Sequence, residues 1–177
     1  MLSDEALVQR TLAGGGHHFG TLVKRYSDYL YGFGLRLTGG NSELAKDMSQ
    51  QSFTRAFQYL KSFDTKHQSS TANTEHRFRN WLTGIAVNTF HDLIKTEQRY
   101  APLEDHLEPS YQPAFADSHA FYDLIRPLNS ENRVLFVLRY IYDYTVPEIA
   151  LQTGISEGTL KSKLSRAMQR LREHHHD

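Results

Sequence analysis

The stretch Thr145–Leu171, TVPEIALQTGISEGTLKSKLSRAMQRL, decides how the chain is read. Thr145 is an N-cap type and Glu148 follows three positions later, the spacing of a reciprocal capping box. Pro147 falls in the first turn, where its missing N–H costs little. Ile149, Ala150 and Leu151 make a short apolar helix that ends at Thr153-Gly154-Ile155, because glycine takes the left-handed backbone of a tight turn without strain. Ser156 caps a second helix running to about Arg172. Ile149, Ala150, Ile155, Leu160 and Leu164 are placed to clamp the two helices together. Leu160, Leu164, Ala167, Met168 and Leu171 recur at helical spacing on the inner face of the second. Glu157, Thr159, Lys161, Ser162, Ser165, Arg166 and Gln169 remain outward. Short hydroxyl side chains let a helix enter a groove about 12 Å wide, and long cations reach phosphates and base edges. A lone basic helix is more often a solvated face. The capped partner helix, the glycine turn and the spacing together predict a DNA-binding helix-turn-helix.

Working outward, Phe121–Leu128 and Glu131–Tyr140 read as two further helices, parted by Pro127 and Asn129-Ser130. Before them, residues 99–118 hold Pro102, Pro109 and Pro113 among Glu, Asp and Ser without apolar periodicity, and read as a flexible linker. The first half, residues 1–98, reads as four helices. Ser3 caps one through Leu12. Phe19, Leu22, Val23, Tyr26, Leu30, Phe33 and Leu37 mark the second, with His17-His18 in the loop before it. Asn41 or Ser42 starts the third, whose inward positions are Ala45, Met48, Phe53, Ala56, Phe57 and Leu60. Phe78, Trp81, Leu82, Ile85, Ala86, Thr89 and Leu93 mark the fourth, with Trp81 assigned to the core. No stretch alternates with period two. The expected fold is all-α: two small helical domains, 1–98 and 119–177, joined by the linker.

Composition narrows the function. The 177 residues carry 20 basic and 20 acidic side chains and no cysteine. Zero net charge argues against a polycation that coats nucleic acid, so the distribution matters more than the sum. Ile155–Arg172 holds five cations against Glu157, while Thr96–Ser118 holds five acids against Arg99. Absent cysteine fits a reducing compartment and excludes thiolate chemistry. No run approaches the roughly 18 apolar residues of a membrane span, and Met1-Leu2-Ser3-Asp4-Glu5 lacks a signal-peptide core. A cytoplasmic protein without membrane insertion is expected. The 10 histidines form no credible metal face or nucleophile–base set. No phosphate or dinucleotide fingerprint is present. Catalytic, cofactor and metal sites are all expected to be none.

Leu128–Glu173 resembles the fourth conserved region of sigma factors through its phrase EIA…GIS.GT.KS.L.RA...LR, although a GerE-type response-regulator domain has a similar motif. ELAKDMSQQSFTRAFQYLKSFD (Glu43–Asp64) and FRNWLTGIAVNTFHDLIK (Phe78–Lys95) resemble sigma region two and its continuation. Both regions occur in order, with no segment left for a third, and so the chain resembles a sigma-70 family sigma factor of the extracytoplasmic-function (ECF) type. The resemblance implies core RNA polymerase as partner, through its largest-subunit clamp helices and its flap, together with promoter DNA and an anti-sigma factor. It implies docking through Asp47, Gln50, Gln51 and Arg55. It implies −10 recognition by His67, Ser69, Ser70, Asn73, Arg79, Asn80 and Asn88, in a loop and helix start that hold extruded bases. It implies −35 recognition by Glu157, Gly158, Thr159, Lys161, Ser162, Ser165 and Arg166, with Arg139 and Lys163 on phosphates.

Three positions depart from the family pattern. Gln51 stands where Glu is usual, and Gly84 and Val87 stand where Arg is usual. Fewer cations neutralise fewer phosphates, which implies modest melting power and strong dependence on promoter sequence and salt. A stand-alone helix-turn-helix regulator with a helical sensor or dimerisation domain is the alternative. The phrases DMSQQSFTRAF and FRNWLTGIA separate the two.

Overall fold

The computed structural model describes residues 1–63, 76–100 and 119–176, apart from the side chains at 98–100 and 119, and among the described residues every regular element is helical. The first half comprises α1 (Asp4–Leu12), α2 (His17–Leu37), α3 (Ser42–Gln58), a single tight turn at Leu60–Ser62 and α4 (Arg77–Tyr100). The second comprises α5 (His119–Ile125), α6 (Ser130–Phe136), α7 (Val146–Thr153) and α8 (Glu157–His176). The polar residues before the helices do what their types predict. Ser3 Oγ accepts from the Ala6 amide, Asn41 Oδ1 from Leu44 at 3.1 Å, and Asn129 Oδ1 from Asn132 at 2.8 Å. Each bond satisfies an amide that the helix itself leaves unpaired.

Helix α2 is the spine of the first half. Leu22, Leu30, Phe33 and Leu37 are fully buried. Its Gly34 lets α3 approach closely, since a Cβ there would stand 3.1 Å from Ala45 and from the end of Met48. Helix α1 is tied to α2 by Asp4, which receives Arg25 Nη1 at 2.5 Å and the Tyr26 hydroxyl. An aromatic cluster of Tyr26, Phe63, Phe78 and Trp81 joins α2 and the tight turn to the start of α4.

Three details differ from the sequence reading. His17 and His18 begin α2 rather than a loop. Phe57, expected inward, is 53% exposed and lies edge-on to Phe19, at 5.1 Å between ring centres. The deep line of α3 runs Ala45, Met48, Ser52, Ala56, and Ser52 fits it because its hydroxyl donates to the Met48 carbonyl at 2.6 Å. Finally, the helix expected to end at Tyr140 widens into a π-helical turn at Val137–Ile141, where the Tyr142 amide reaches back five residues to Val137 O.

One buried cluster extends from Leu7 and Val8 through α2, α3 and α4 to Val134, Val137, Tyr144, Ile149, Leu160 and Leu164. The two halves therefore share packed surface. A smaller cluster of Ile125, Leu128, Phe136, Ala167 and Leu171 seats the far end of α8 on α5 and α6.

Phe33 is central to this packing, fully buried and with its ring against Tyr142 of the second half at 5.3 Å. Phe33→Ala should cost about 3–5 kcal/mol of unfolding free energy. Urea denaturation followed by circular dichroism checks it; a loss under about 1 kcal/mol would contradict this placement.

Candidate nucleic-acid interface and its comparisons

Helices α7 and α8 form the expected motif. Glu148 N donates to Thr145 Oγ1 at 3.3 Å and Thr145 N donates to Glu148 Oε2 at 3.0 Å, closing the capping box. Gly154 ends α7 at φ 72°, in the left-handed region. The Thr159 amide donates to Ser156 Oγ at 3.4 Å, which caps α8. The inner face of α8 is buried at Leu160, Leu164, Ala167 and Leu171, so the helix cannot rotate without exposing it.

The opposite face is open. Glu157, Gly158, Thr159, Lys161, Ser162, Ser165 and Arg166 are all exposed. A Cβ on Gly158 would meet nothing within 4 Å. Arg166 Nε donates to the Ser162 carbonyl at 3.3 Å, which lays its stem along the helix. Two cations are tied down. Lys163 pairs with Glu131 of α6 at 3.1 Å, and Arg139 donates to the Tyr144 carbonyl at 3.3 Å.

On α3, Asp47, Gln50 and Gln51 share an exposed face at helical spacing. Arg55 follows them but is half-buried, held by Asp92 of α4 at 2.8 Å. His67, Ser69, Ser70 and Asn73 lie outside the described residues. Of the remaining −10 candidates, Asn88 is exposed. Arg79 lies over the Tyr29 ring, 5.6 Å from its centre. Asn80 is engaged by the second half: its Oδ1 accepts the Tyr144 hydroxyl at 2.9 Å, and its carbonyl accepts Gln152 Nε2 at 2.5 Å.

The sequence reading missed that seam between the halves. Tyr144 also meets Thr83 Oγ1 at 3.2 Å, and Thr83 in turn bonds the Tyr29 hydroxyl at 2.8 Å. Burial pushes the Tyr29 phenol well above its ordinary range, with Tyr144 beside it adding to the effect. Tyr142 packs edge-on against Tyr29 and accepts from Arg36 Nη1 at 2.7 Å. Arg133 Nη1 donates to the Leu37 carbonyl at 3.2 Å. A usable signal existed for Tyr144. It directly precedes the N-cap Thr145, with Ile149 at the fourth helical position, the placement of a hydrophobic staple.

Beside the seam lies a cleft of about 620 Å³, lined by Val87, Asn88, His91, Asp92 and Lys95 of α4 and by Glu131, Val134, Leu135, Thr153 and Ile155 of the second half. Among the described residues no group of His, Asp and Glu could hold a metal, and no helix is long and apolar enough to cross a membrane.

Comparison with known proteins assigns this arrangement. Residues 22–100 match the family model for sigma-70 region 2, and residues 118–171 match that for sigma-70 region 4. Two such regions in this order define a subunit of transcription initiation, and set aside a stand-alone regulator, whose first half would be unrelated to region 2. The chain belongs to the sigma-70 family of RNA polymerase sigma factors, in its extracytoplasmic-function group. It is 29% identical to the ECF sigma factor SigE of Mycolicibacterium smegmatis over 86% of this chain and 60% of that protein. It is 26% identical to the ECF sigma-E factor of Haemophilus influenzae over 95% of this chain and 93% of that one. In fold it is similar to CnrH, solved with the cytosolic domain of CnrY (TM-score 0.63, 22% identity, 96% and 95% of the two chains). It is likewise similar to RpoE of Bartonella quintana, solved with the anti-sigma factor NepR (TM-score 0.61, 21% identity, 88% and 94%).

Burial holds the His91 imidazole below its ordinary value; Glu131 and Asp92 oppose the shift and Lys95 adds to it. Two of these neighbours are already paired, Glu131 with Lys163 and Asp92 with Arg55. A folded-state value below the unfolded one gives stability that is complete above about pH 6.5 and is lost as pH falls through it. On going from about pH 7.5 to about pH 5.5, the unfolding midpoint should fall less in His91→Gln than in the parent. Equal falls would remove His91 as the cause.

Proposed function

We propose that this sigma factor reads the −35 element with the exposed face of α8 and docks on core RNA polymerase with the exposed face of α3. The observation that carries the reading is the open row Glu157 to Arg166 over a fully buried seat, which holds one helix face rigidly outward. Residues at the start of a recognition helix meet base edges, and flanking cations meet phosphates. Glu157, Gly158, Thr159, Lys161, Ser162, Ser165 and Arg166 take the first role, and Lys163 and Arg139 the second. Asp47, Gln50 and Gln51 provide the polymerase contact, with Arg55 at its edge. Arg79, Asn80 and Asn88, with His67, Ser69, Ser70 and Asn73, provide −10 capture. The partners are core polymerase, through its clamp helices and flap, promoter DNA and an anti-sigma factor of the kind bound in the solved relatives. The protein acts in the cytoplasm, and its role is binding rather than catalysis.

Run-off transcription with purified core enzyme on a promoter library tests the reading. Promoter-specific transcripts support it, and no affinity for core enzyme would end it. Within that assay Arg166→Ala should lower −35-dependent transcription about tenfold while core-enzyme affinity is unchanged. Equal loss of both would mean misfolding rather than lost DNA contact.

A further inference from the structure

The cleft beside α4 has two kinds of wall. Its depth is apolar: Val87, Val134 and Leu135 line it, each only 1% exposed, with half-buried Ile155 beside them. Its α4 rim is polar. Asn88, His91 and Lys95 line it at successive spacings of three and four residues, and so stand on one helix face. A volume of about 620 Å³ lies in the range that holds small organic ligands. Such ligands take most of their affinity from apolar walls and their orientation from a few polar groups. We propose that the cleft is a binding site for a small amphiphilic anion, a carboxylate on an apolar body, with the carboxylate held by Asn88, His91 and Lys95 and the body against Val87, Val134 and Leu135. This site does not rest on the function proposed above.

The sign of the ligand follows from which charges are already engaged. Asp92 and Glu131 line the same cleft, but Asp92 holds Arg55 Nη1 at 2.8 Å and Glu131 holds Lys163 Nζ at 3.1 Å. Each pair is neutral, and a cation entering the cleft would have to displace one partner. Lys95 is exposed and enters no ion pair among the described residues, which leaves the cleft one uncompensated positive charge. Burial, with Lys95 beside it, holds the His91 imidazole below its ordinary value against Glu131 and Asp92, so at neutral pH it is uncharged and offers one ring N–H. The Asn88 side chain is exposed and has no hydrogen-bond partner among the described residues. Thr153, across the cleft, is already engaged, its hydroxyl donating to the Ile149 carbonyl at 2.7 Å. The free donors therefore lie on α4, and most of the apolar lining belongs to the second half. A ligand with a charged head and an apolar body fits that asymmetry lying crosswise, and it stabilises the arrangement it binds by its affinity for it.

Titration calorimetry on the full chain tests the site with simple probes. 2-Naphthoate and octanoate carry the head and a body; 2-naphthamide is the neutral counterpart of the first, and acetate is the head alone. At least one of the two amphiphilic carboxylates should bind saturably, at a single site per chain, and raise the unfolding midpoint. 2-Naphthamide and acetate should each bind at least about tenfold more weakly. Lys95→Gln should weaken the bound carboxylate about fivefold with unchanged helical circular dichroism. Lys24→Gln, which removes an exposed cation on α2, should leave it unchanged. Octanoate ahead of 2-naphthoate assigns an acyl body and the reverse an aryl one, and either order supports the site. No saturation by either carboxylate below about 1 mM would overturn it. So would 2-naphthamide binding as tightly as 2-naphthoate, which is apolar adsorption, or equal affinity in Lys95→Gln and the parent. None of these measurements involves polymerase or DNA, so their failure is distinct from failure of the proposed function.

Discussion

Helix α4 has to be buried on two sides, and the arrangement of the whole molecule follows from that. Phe78, Leu82 and Ala86 have no exposed surface, and the same is true of Thr83 a quarter-turn away. An amphipathic helix with one apolar stripe is satisfied by one partner. This one also carries Val87 and Phe90 beyond the stripe, each 1% exposed. The first half supplies the aromatic cluster around Phe78, and α6 and α7 cover the side bearing Val87. A buried hydroxyl such as Thr83 is tolerable only because Tyr29, Tyr144 and its own Arg79 carbonyl complete its hydrogen bonds.

The recognition helix depends on a different constraint. Its outer side chains are useful only if their direction is fixed, and nothing on that face can fix it. Direction comes from behind, where Leu160 and Leu164 join the main core and Ala167 and Leu171 join the smaller cluster with Ile125, Leu128 and Phe136. From the front, the capping box and Gly154 set the angle at which α7 hands the chain to α8. The overall charge of zero is compatible with DNA binding because the cations are concentrated here, and several are held in set positions by Glu131 and by backbone carbonyls. In the role proposed for it, a helix positioned this way would discriminate sequence by base-edge geometry rather than by bulk attraction.

The same physics explains which parts were legible in the sequence. Capping residues are local, so Ser3, Asn41 and Thr145 were readable and hold the amides their types predict. The inner face of α8 was readable because its apolar spacing is strict. Phe57 misled, because hydrophobicity was weighed above angular position, and Ser52 has the better angle and bonds its own backbone. Tyr142, Tyr144 and Gln152 carried no periodic signal. Their partners Arg36, Thr83 and Asn80 lie about 60 to 110 positions earlier, and no local pattern encodes a pairing across that separation. Asn80 was read as a −10 candidate; that Tyr144 and Gln152 would engage it from within the chain was not readable.

Gly84 and Val87 bring these threads together. Read as departures from a basic family pattern, they are lost phosphate contacts. In the folded chain they are also gained packing: one is small enough for Gln152 to reach the Asn80 carbonyl, the other apolar enough to sit against Val134 and Leu135. A long cation at either position would keep α7 from settling there, because its charge would be stripped of water in the seam without a carboxylate to pair with. Among the described residues the nearest acids in the cleft, Asp92 and Glu131, are already engaged by Arg55 and Lys163. One substitution pattern is therefore read both as fewer phosphate contacts, under the function proposed above, and, in the folded chain, as closer self-packing.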